Sequence, residues 1–465
     1  MGHLEWRDKE KRCNTVAICV SPHFFCYFCG TMTIDGIYSR FRECSGVTTD
    51  SRRCGPGLMF FALKGERFDG NEFVRGALEQ GCPYAVMDNA GLYDAADGRM
   101  ILVDNVLVTL QKVAAYHRCE LGTPVIGITG TNGKTTTKEL TNAVMGTTYK
   151  VLCTQGNLNN SIGVPLTVLG LKPGHQYAIV EMGASHPGDI KELVEVSQPD
   201  YGLITNVGKA HLLGFGSFEG VKRTKGELYD WLREHNGTAF VNRDNVHLQQ
   251  MVAGLPVIEY GKPGQDGLLV EGEVLECNPF VKFRWRSKGG EWHTVQTNLI
   301  GAYNLDNALA AITVGLHFGV TEENASAAVA GYVPQNNRSQ LTETGRNHLV
   351  VDAYNANPTS MAAAIENFSM IQAQDKMLIL GDMRELGDVS EAEHRQIVEL
   401  LKTKGFTQVW LVGSEFAKAA SGGGFSLFPD VEAVKETLQS EPVSGKTILI
   451  KGSNGIGLTK VVEFL

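Results

Sequence analysis

The sequence lacks any long run of Lys or Arg, and its formal net charge is −9 over 465 residues. A nucleic-acid interface needs a basic patch, so this charge balance argues against a bound polynucleotide. Apolar residues make up 43% of the chain. Beyond residue 31, however, no apolar run reaches the roughly 20 residues of a membrane helix. We therefore expect a globular protein of about three domains, at roughly 150 residues each, with no stable membrane insertion.

The ten cysteines are scattered and show no paired metal-ligand spacing. Cys26 and Cys29 form a CxxC motif, but no second pair accompanies it. We therefore assign it no redox or zinc chemistry. Free thiols of a cytoplasmic protein are the simplest account of the remaining cysteines.

The strongest functional signal is the stretch from Val125 to Lys138, with the sequence VIGITGTNGKTTTK. An apolar run, a glycine-rich turn and a polar helical segment predict a strand, a tight turn and the start of a helix. Backbone N–H groups of such a turn point at an anion, the lysine reaches β- and γ-phosphates, and the adjacent threonine can bind Mg²⁺. A glycine turn without a ligand is the alternative. We assign the phosphate site to Gly130, Thr131, Asn132, Gly133, Lys134, Thr135 and Thr136.

Residues 1–31 are predicted to be an upstream extension rather than part of the fold. Val16 to Cys29 is an apolar run that follows basic residues, as in a secretory signal. Pro22 interrupts the run, and an exported enzyme would find no ATP. Met32 directly precedes the first predicted domain.

Polar residues cluster at predicted strand ends before the glycine-rich turn, in a unit from Met32 to about Glu120. Taken singly, each is better explained by a solvated surface. Together they can hold a diphosphate or a sugar. They are Ser51, Arg52, Lys64 and Asp69.

Further candidates follow the turn. The amides of Asn157, Asn159 and Asn160 suit ligand binding, although asparagine-rich turns also occur without ligands. Glu181 ends a predicted strand, where α/β sheets bind ligands, and is a candidate Mg²⁺ ligand. A helix N-terminal acid is the alternative for Glu181. His211 follows another strand in a glycine-rich loop, where a metal role competes with a structural one.

Two later predicted helices carry polar residues for which both a functional and a structural role are considered. Lys225 lies in a basic helical segment, and a solvated face is the alternative to a functional role. Asn304 and Asn307 share one helix face at i, i+3 and can frame a base. From about Pro334, strands alternate with helices, which predicts a mainly parallel sheet.

Several motifs in one order resemble those of the Mur ligase family, which joins amino acids or a dipeptide to the nucleotide-linked precursor of the bacterial cell wall. The resemblance covers residues 32–465. It rests on Thr49 to Arg52 (TDSR), Phe60 to Gly65 (FFALKG), Gly156 to Asn160 (GNLNN), Asp352 to Met361 (DAYNANPTSM) and Gly381 to Gly387 (GDMRELG).

The resemblance implies an α/β fold with the three-domain Mur ligase architecture. Residues 32–122 would form an N-terminal UDP-substrate-binding domain, and residues 123–333 a central P-loop ATPase-type domain with a parallel sheet. Residues 334–465 would form a C-terminal Rossmann-like ligase domain.

The resemblance also implies residue roles. Lys134, His211 and Lys225 would be catalytic, with Lys225 carbamylated by CO₂, and two Mg²⁺ would be held by Thr135, Glu181, His211 and the Lys225 carbamate. Asn304 and Asn307 would flank adenine, although Tyr303 replaces the histidine often found there, and Arg338 and Asp352 would complete the ATP site. The substrate would be bound by Ser51, Arg52, Lys64, Asp69, Gly70, Asn157, Asn159, Asn160, Tyr354, Asn355 and Asn357.

The implied activity is ATP-dependent ligation of D-alanyl-D-alanine to UDP-N-acetylmuramoyl-tripeptide through an acyl phosphate, by a cytoplasmic monomer. No Asp-Asn-Pro-Arg run occurs, which favours this step over addition of the third residue. Alternatives are another Mur-type ligase, including a third-residue, folate-polyglutamylating or cyanophycin-type enzyme, and a P-loop nucleotide switch that performs no ligation.

Overall fold

A computed structural model describes residues 32–334, 340–420 and 424–465. The predicted extension, the CxxC motif and Arg338 lie outside these residues. The chain forms two compact units. The first comprises the described residues up to 125 with 154–180 and 192–198, and the second comprises 126–153, 181–191 and the described residues from 199 onward.

The strands and helices alternate along most of the chain. The strands are β1 Gly46–Thr48, β2 Leu58–Phe61, β3 Ala85–Met87, β4 Met100–Leu102, β5 Val125–Thr129, β6 Val151–Cys153, β7 Tyr177–Glu181, β8 Tyr201–Ile204, β9 Thr238–Asn242, β10 Val257–Gly261, β11 Val270–Cys277, β12 Phe280–Ser287, β13 His293–Ile300, β14 Gln340–Glu343, β15 His348–Asp352, β16 Lys376–Gly381, β17 Val409–Val412, β18 Ser426–Phe428 and β19 Thr447–Lys451.

The helices are α1 Ile34–Phe41, α2 Val74–Glu79, α3 Val106–Leu121, α4 Lys134–Gly146, α5 Gly163–Val168, α6 Asp189–Ser197, α7 Leu212–Phe215, α8 Phe218–Glu234, α9 Val246–Met251, α10 Asn304–His317, α11 Glu322–Gly331, α12 Pro358–Met370, α13 Ser390–Thr403, α14 Ser414–Ala419 and α15 Val431–Ser440. Short 3₁₀ helices span Ser51–Arg53, Gly70–Phe73, Gly387–Val389, Asn454–Ile456 and Leu458–Phe464.

The first unit is built on a parallel sheet with the strand order β1-β2-β3-β4. Phe60 on β2 and Ala85 on β3 are buried against Val74 and Leu78 of α2. Because the strands are parallel, the loops that follow them emerge at one edge of the sheet.

The large sheet has nine strands, and its first seven follow the order β13-β12-β11-β10-β9-β8-β5. The adjacent strands β5, β8, β9, β10 and β11 are parallel to one another, as predicted for a P-loop domain. The β11-β12-β13 end is antiparallel, which the sequence interpretation missed. The available signal was the alternation of apolar Val281, Phe283 and Trp285 with basic residues along the sequence of β12. In the structure the three apolar residues are buried and their neighbours are half-exposed. Such alternation is typical of a strand with one covered face.

The remaining sheet has the order β14-β15-β19-β16-β17-β18. All its strands are parallel except β14, so the predicted mainly parallel sheet is confirmed. The interior of this sheet is aliphatic, with Leu378, Ile379 and Leu449 at most 1% exposed. Within the described ranges, no helix combines the length and apolar character needed to cross a membrane.

Candidate active site

The stretch from Val125 to Lys138 forms the predicted strand, turn and helix. Every residue of β5 is buried, and α4 begins at Lys134. At Gly130 (φ 139°), an added Cβ would lie 2.0 Å from the Thr205 hydroxyl oxygen. At Gly133 (φ 78°), it would lie 2.6 Å from Oδ1 of Asn307. Both glycines are therefore required by the backbone conformation and by the close approach of neighbours.

Lys134 lies across the turn from which it emerges. Its Nζ donates to the carbonyl oxygens of Gly130 at 2.8 Å and Thr131 at 3.0 Å. The ammonium group therefore sits at the mouth of the loop. There it can meet a phosphate whose other oxygens accept from the backbone N–H groups.

Thr135 and Glu181 meet in the interior beside this turn. The Thr135 hydroxyl donates to the Glu181 carboxylate, at 2.9 Å from Oε2 and 3.1 Å from Oε1. Glu181 is only 1% exposed and ends β7, while α6 begins eight residues later. The structure therefore contradicts the interpretation of Glu181 as a helix N-terminal acid.

A buried lysine that the sequence analysis did not single out lies close to Glu181. Lys138 is fully buried, and its Nζ lies 2.8 Å from Oε1 of Glu139 and 4.0 Å from Oε2 of Glu181. The i, i+4 spacing from Lys134 on α4 was the available signal, because it puts both lysines on one side of the helix.

His211 adopts the left-handed conformation (φ 49°) after β8, and its Nδ1 contacts Oε2 of Glu385. Burial lowers the pKa of His211 below its usual value of 6.5. The charges of Lys134 and Lys225 lower this pKa further, and Glu385 opposes them. A neutral imidazole is the form that binds a metal.

Lys225 faces the interior, which contradicts the interpretation of a solvated face. It is 2% exposed on α8, with its Nζ 5.7 Å from the centre of the Phe215 ring. Burial, and then the charge of Lys134, place the pKa of Lys225 well below its usual value. Asp189 and Glu227 oppose this decrease. Lys225 is thus poised to lose its proton.

Asn304 and Asn307 are buried on one face of α10, as their spacing predicted. Asn307 Nδ2 donates to Oδ1 of Asn304 at 2.8 Å, and the Thr137 hydroxyl donates to Oδ1 of Asn307 at 3.0 Å. Asn304 Nδ2 donates to the Ile300 carbonyl. The Thr137–Asn307 bond fastens α10 to the helix that follows the phosphate turn. The adenine role of both asparagines stays a prediction.

Asp352 lies at the end of β15 and is paired with Lys451, a buried residue at the end of β19. Lys451 Nζ lies 2.6 Å from Oδ2 of Asp352 and also donates to the Asn355 carbonyl at 3.2 Å. The parallel pairing of β15 with β19 places Lys451 opposite Asp352. A pocket beside Asp352 is lined by Ile300, Tyr303, Val350, Asp352, Ala364, Asn367, Phe368, Ile371 and Leu449.

Asn357 connects two of the sequence motifs. Its Nδ2 donates to Oδ1 of Asn132 at 2.8 Å, and its Oδ1 accepts from the backbone N–H of Ser360 as the N-cap of α12. The pair joins positions 225 residues apart, which no local pattern predicts. In the same segment, Tyr354 is half-buried and Asn355 is exposed.

The predicted substrate residues of the first unit lie in loops that follow β1 and β2. Arg52 is paired with Asp50 through Nη2 and Oδ2 at 2.8 Å, and hydrogen bonds from Arg52 lower the pKa of Asp50 to about 2. Lys64 Nζ lies 3.8 Å from Oδ2 of Asp69. Ser51 is half-buried. The same edge of the sheet therefore presents the predicted polar groups.

Gly70 and the asparagine-rich segment complete the predicted set in this unit. Gly70 is buried, with its N–H donating to the Leu63 carbonyl. Asn160 lies just before α5, and its Oδ1 accepts from the N–H of Gly163 at 2.8 Å. Asn157 is exposed and Asn159 is half-buried. At least Asn160 thus has a structural function, and ligand binding by the three stays a prediction.

The sequence matches three family models: "Mur ligase family, catalytic domain" over residues 43–118, "Mur ligase middle domain" over 128–315 and "Mur ligase, glutamate ligase domain" over 337–454. A Bacillus subtilis relative, UDP-N-acetylmuramoyl-tripeptide--D-alanyl-D-alanine ligase, is 35% identical, and the match covers 90% of this chain and 93% of the relative. The chain belongs to the Mur ligase family. The motif-based prediction of this family and its ligase class is confirmed.

Solved structures of family members agree with the fold. MurF from Acinetobacter baumannii superposes with a TM-score of 0.80 at 30% identity, covering 89% of this chain and 92% of that one. MurF ligase from Thermotoga maritima, in complex with ADP, gives a TM-score of 0.81 at 27% identity, with 91% and 97% covered. The predicted three-domain Mur ligase architecture is confirmed. The three matched family ranges each lie inside one predicted domain, whose boundaries stay predictions.

Proposed function

We propose that this Mur ligase adds D-alanyl-D-alanine to UDP-N-acetylmuramoyl-tripeptide at the expense of ATP, in the cytoplasm. The name of the Bacillus subtilis relative supports the substrates, and ADP in the Thermotoga maritima structure supports the nucleotide. The observation that carries the proposal is the half-buried Lys134 beside the buried Thr135–Glu181 pair, a set of groups suited to hold a reacting triphosphate.

The reaction proceeds in two displacements. A carboxylate oxygen of the tripeptide attacks the γ-phosphorus of ATP, so that the bond to the β-phosphate oxygen breaks and ADP leaves. The dipeptide amine then attacks the acyl carbon, inorganic phosphate leaves, and the nitrogen loses a proton as the amide forms. Lys134 offsets the repulsion between carboxylate and triphosphate and aligns the reacting groups.

The donor set fits magnesium. Thr135 and Glu181 supply oxygen atoms, which Mg²⁺ prefers, and His211 with a Lys225 carbamate would complete a second position. The part of the chain that the structure describes holds no cluster of three or more His, Cys, Asp and Glu residues suited to a metal. Phosphate oxygens and water would therefore supply the remaining ligands. When bound, two Mg²⁺ neutralise charge on the triphosphate and the acyl phosphate.

In addition to ATP and Mg²⁺, we assign CO₂ as a cofactor that is bound covalently to Lys225. The lowered pKa of Lys225 supports this assignment, because only the neutral amine attacks CO₂. The nitrogen gains a bond to carbon and loses a proton, which leaves a carbamate. Two oxygen atoms then replace one buried ammonium group.

The remaining assignments follow the family pattern. Adenosine would lie beside Asn304, Asn307 and Asp352, with Arg338 as a further contact. UDP would lie at the strand edge of the first unit, on Ser51, Arg52, Lys64, Asp69 and Gly70. The peptide ends would be held by Asn157, Asn159, Asn160, Tyr354, Asn355 and Asn357. We propose a monomer.

ADP release tests this function. Release should require ATP, Mg²⁺, UDP-N-acetylmuramoyl-tripeptide and D-alanyl-D-alanine together, with one amide formed per ADP. Release with L-lysine or diaminopimelate on the dipeptide precursor would identify a third-residue ligase instead. Nucleotide hydrolysis unaffected by either peptide would identify a switch and contradict ligation.

A further inference from the structure

The segment from Thr205 to His211, called here the 205–211 loop, lies between two parts of the second unit. It follows β8 and ends at the proposed metal ligand His211. One side of the loop contacts the phosphate turn, and the other side contacts the C-terminal segment from residue 340 onward. Neither set of contacts was predicted from the sequence.

The phosphate turn is held to this loop by backbone and side-chain hydrogen bonds. Asn206 Oδ1 accepts from the N–H of Asn132 at 3.0 Å, and Asn206 Nδ2 donates to the Asn132 carbonyl at 3.0 Å. The Thr205 hydroxyl donates to the same carbonyl at 2.6 Å. The N–H of Gly208 donates to the Thr131 hydroxyl at 2.9 Å. A shift of the loop therefore shifts the amides that are to bind phosphate.

On the opposite side, Lys209 Nζ lies 2.6 Å from Oε1 of Glu393, in the first turn of α13. The Lys209 side chain is 48% exposed, but that of Glu393 is only 8% exposed. A carboxylate with so little exposure to water needs a charged partner. If Lys209 is removed, the charge of Glu393 is left buried and uncompensated. This ion pair therefore contributes more to stability than a pair in which both side chains are exposed.

Three more contacts support the same connection. His211 contacts the Glu385 carboxylate, and the Glu385 carbonyl accepts from the N–H of Leu213 at 3.1 Å. The Asn132–Asn357 amide pair links the phosphate turn directly to α12. The C-terminal segment therefore touches the phosphate turn, the loop beside it and the proposed metal ligand.

We propose that the Lys209–Glu393 ion pair is a positioning contact for phosphoryl transfer. It holds the 205–211 loop against the C-terminal segment, so that the phosphate turn and His211 reach their reactive positions when that segment is docked. Neither residue touches substrate. The proposal rests on the ATP-dependent ligation proposed above.

Steady-state kinetics of Lys209→Met, Glu393→Gln and the double variant test the contact. Each single variant should lower kcat about tenfold, because the contact that positions the loop is lost, with each KM within about threefold. The double variant should lose about the same tenfold rather than a hundredfold, because the two changes remove one interaction. Lys209→Arg should recover kcat to within about twofold of wild type, because it restores the charge.

Lys402→Met is the matched control. It breaks the Lys402–Glu399 pair, with Nζ and Oε1 2.7 Å apart, on the same helix and away from the loop. Its kcat should equal that of wild type. Equal losses in Lys402→Met and Lys209→Met, or a hundredfold loss in the double variant, would overturn the proposal.

Hydrogen exchange separates this proposal from the proposed function. In Lys209→Met and Glu393→Gln, amides of residues 129–137 and 205–212 should exchange at least about fivefold faster, since opening becomes easier, and those in Lys402→Met should not. This readout needs no ligation, so it decides the contact even if wild type fails to ligate. If Glu393→Gln does not fold, Lys209→Met alone decides, because its altered side chain is half-exposed. Unchanged exchange in Lys209→Met would refute the contact, whatever the value of kcat.

Discussion

The hydroxyl of Thr135 bridges the two carboxylate oxygens of Glu181, at 2.9 and 3.1 Å, in a region that water barely reaches. Because Thr135 directly follows the lysine of the phosphate turn, a cation held by this pair would touch the same phosphates as Lys134. We therefore expect the phosphate charge to be neutralised beside this pair.

Glu181→Gln should therefore raise the Mg²⁺ concentration for half-maximal ligation at least about tenfold, since a charged oxygen ligand is lost while the shape is kept. A magnesium titration of initial rate measures this. Glu139→Gln is the control, because Glu139 contacts Lys138 but not Thr135. An unchanged magnesium requirement in Glu181→Gln would remove Glu181 from the metal site.

Lys225→Ala should lose at least about a hundredfold in kcat, on the scale of losing a main electrostatic stabiliser. Formate or acetate should restore part of it by filling the vacated space with a carboxylate. Lys222→Ala, on the same helix, should retain activity and show no response to carboxylates. If no short carboxylate rescues Lys225→Ala, carbamylation is the wrong assignment.

Gly130→Ala should abolish measurable ADP binding in calorimetry. The new methyl group would lie 2.0 Å from the Thr205 hydroxyl oxygen and would force φ from 139°. Gly146→Ala is the control, because a Cβ at the end of α4 meets nothing within 4 Å. That change should keep ADP binding and stabilise the protein by up to about 1 kcal/mol. Normal ADP affinity in Gly130→Ala would show that the turn is not the phosphate site.

His394 should make the second unit less stable in acid. It is fully buried, its Nε2 accepts from the N–H of Met383 at 3.0 Å, and its Nδ1 donates to the Ser390 carbonyl at 2.8 Å. Burial lowers the pKa of His394 below 6.5, although Asp382 and neighbouring glutamates oppose this. The unfolded chain therefore takes up the proton first, and stability present above pH 6.5 is lost as pH falls toward the folded pKa.

Urea unfolding at pH 7, 6 and 5 measures this effect. The free energy of unfolding should fall toward pH 5 in wild type and less steeply in His394→Asn. His348→Asn, which alters a mostly exposed histidine, should follow wild type. Identical pH slopes in wild type and His394→Asn would exclude His394 as the cause.

Local patterns sufficed for much of the fold. The apolar run of β5, the glycines and the Gly133-Lys134-Thr135 sequence specify a phosphate turn, because each conformation depends on neighbours in the chain. The parallel strands of the C-terminal segment were likewise predicted from apolar runs alternating with helical stretches. The antiparallel β11-β12-β13 end was missed, although apolar Val281, Phe283 and Trp285 alternate with basic residues in the sequence of β12.

Only the tertiary structure decided which polar residues are buried and which residues they contact. Lys225 lies in a basic sequence segment typical of a solvent-exposed helix face. Packing of α8 nevertheless buries the side chain, and burial lowers its pKa. The Asn132–Asn357 and Lys209–Glu393 pairs join residues 225 and 184 positions apart. Such contacts depend on how sheets and helices pack, which short-range periodicity does not encode, and burial then sets the charge state that each group can hold.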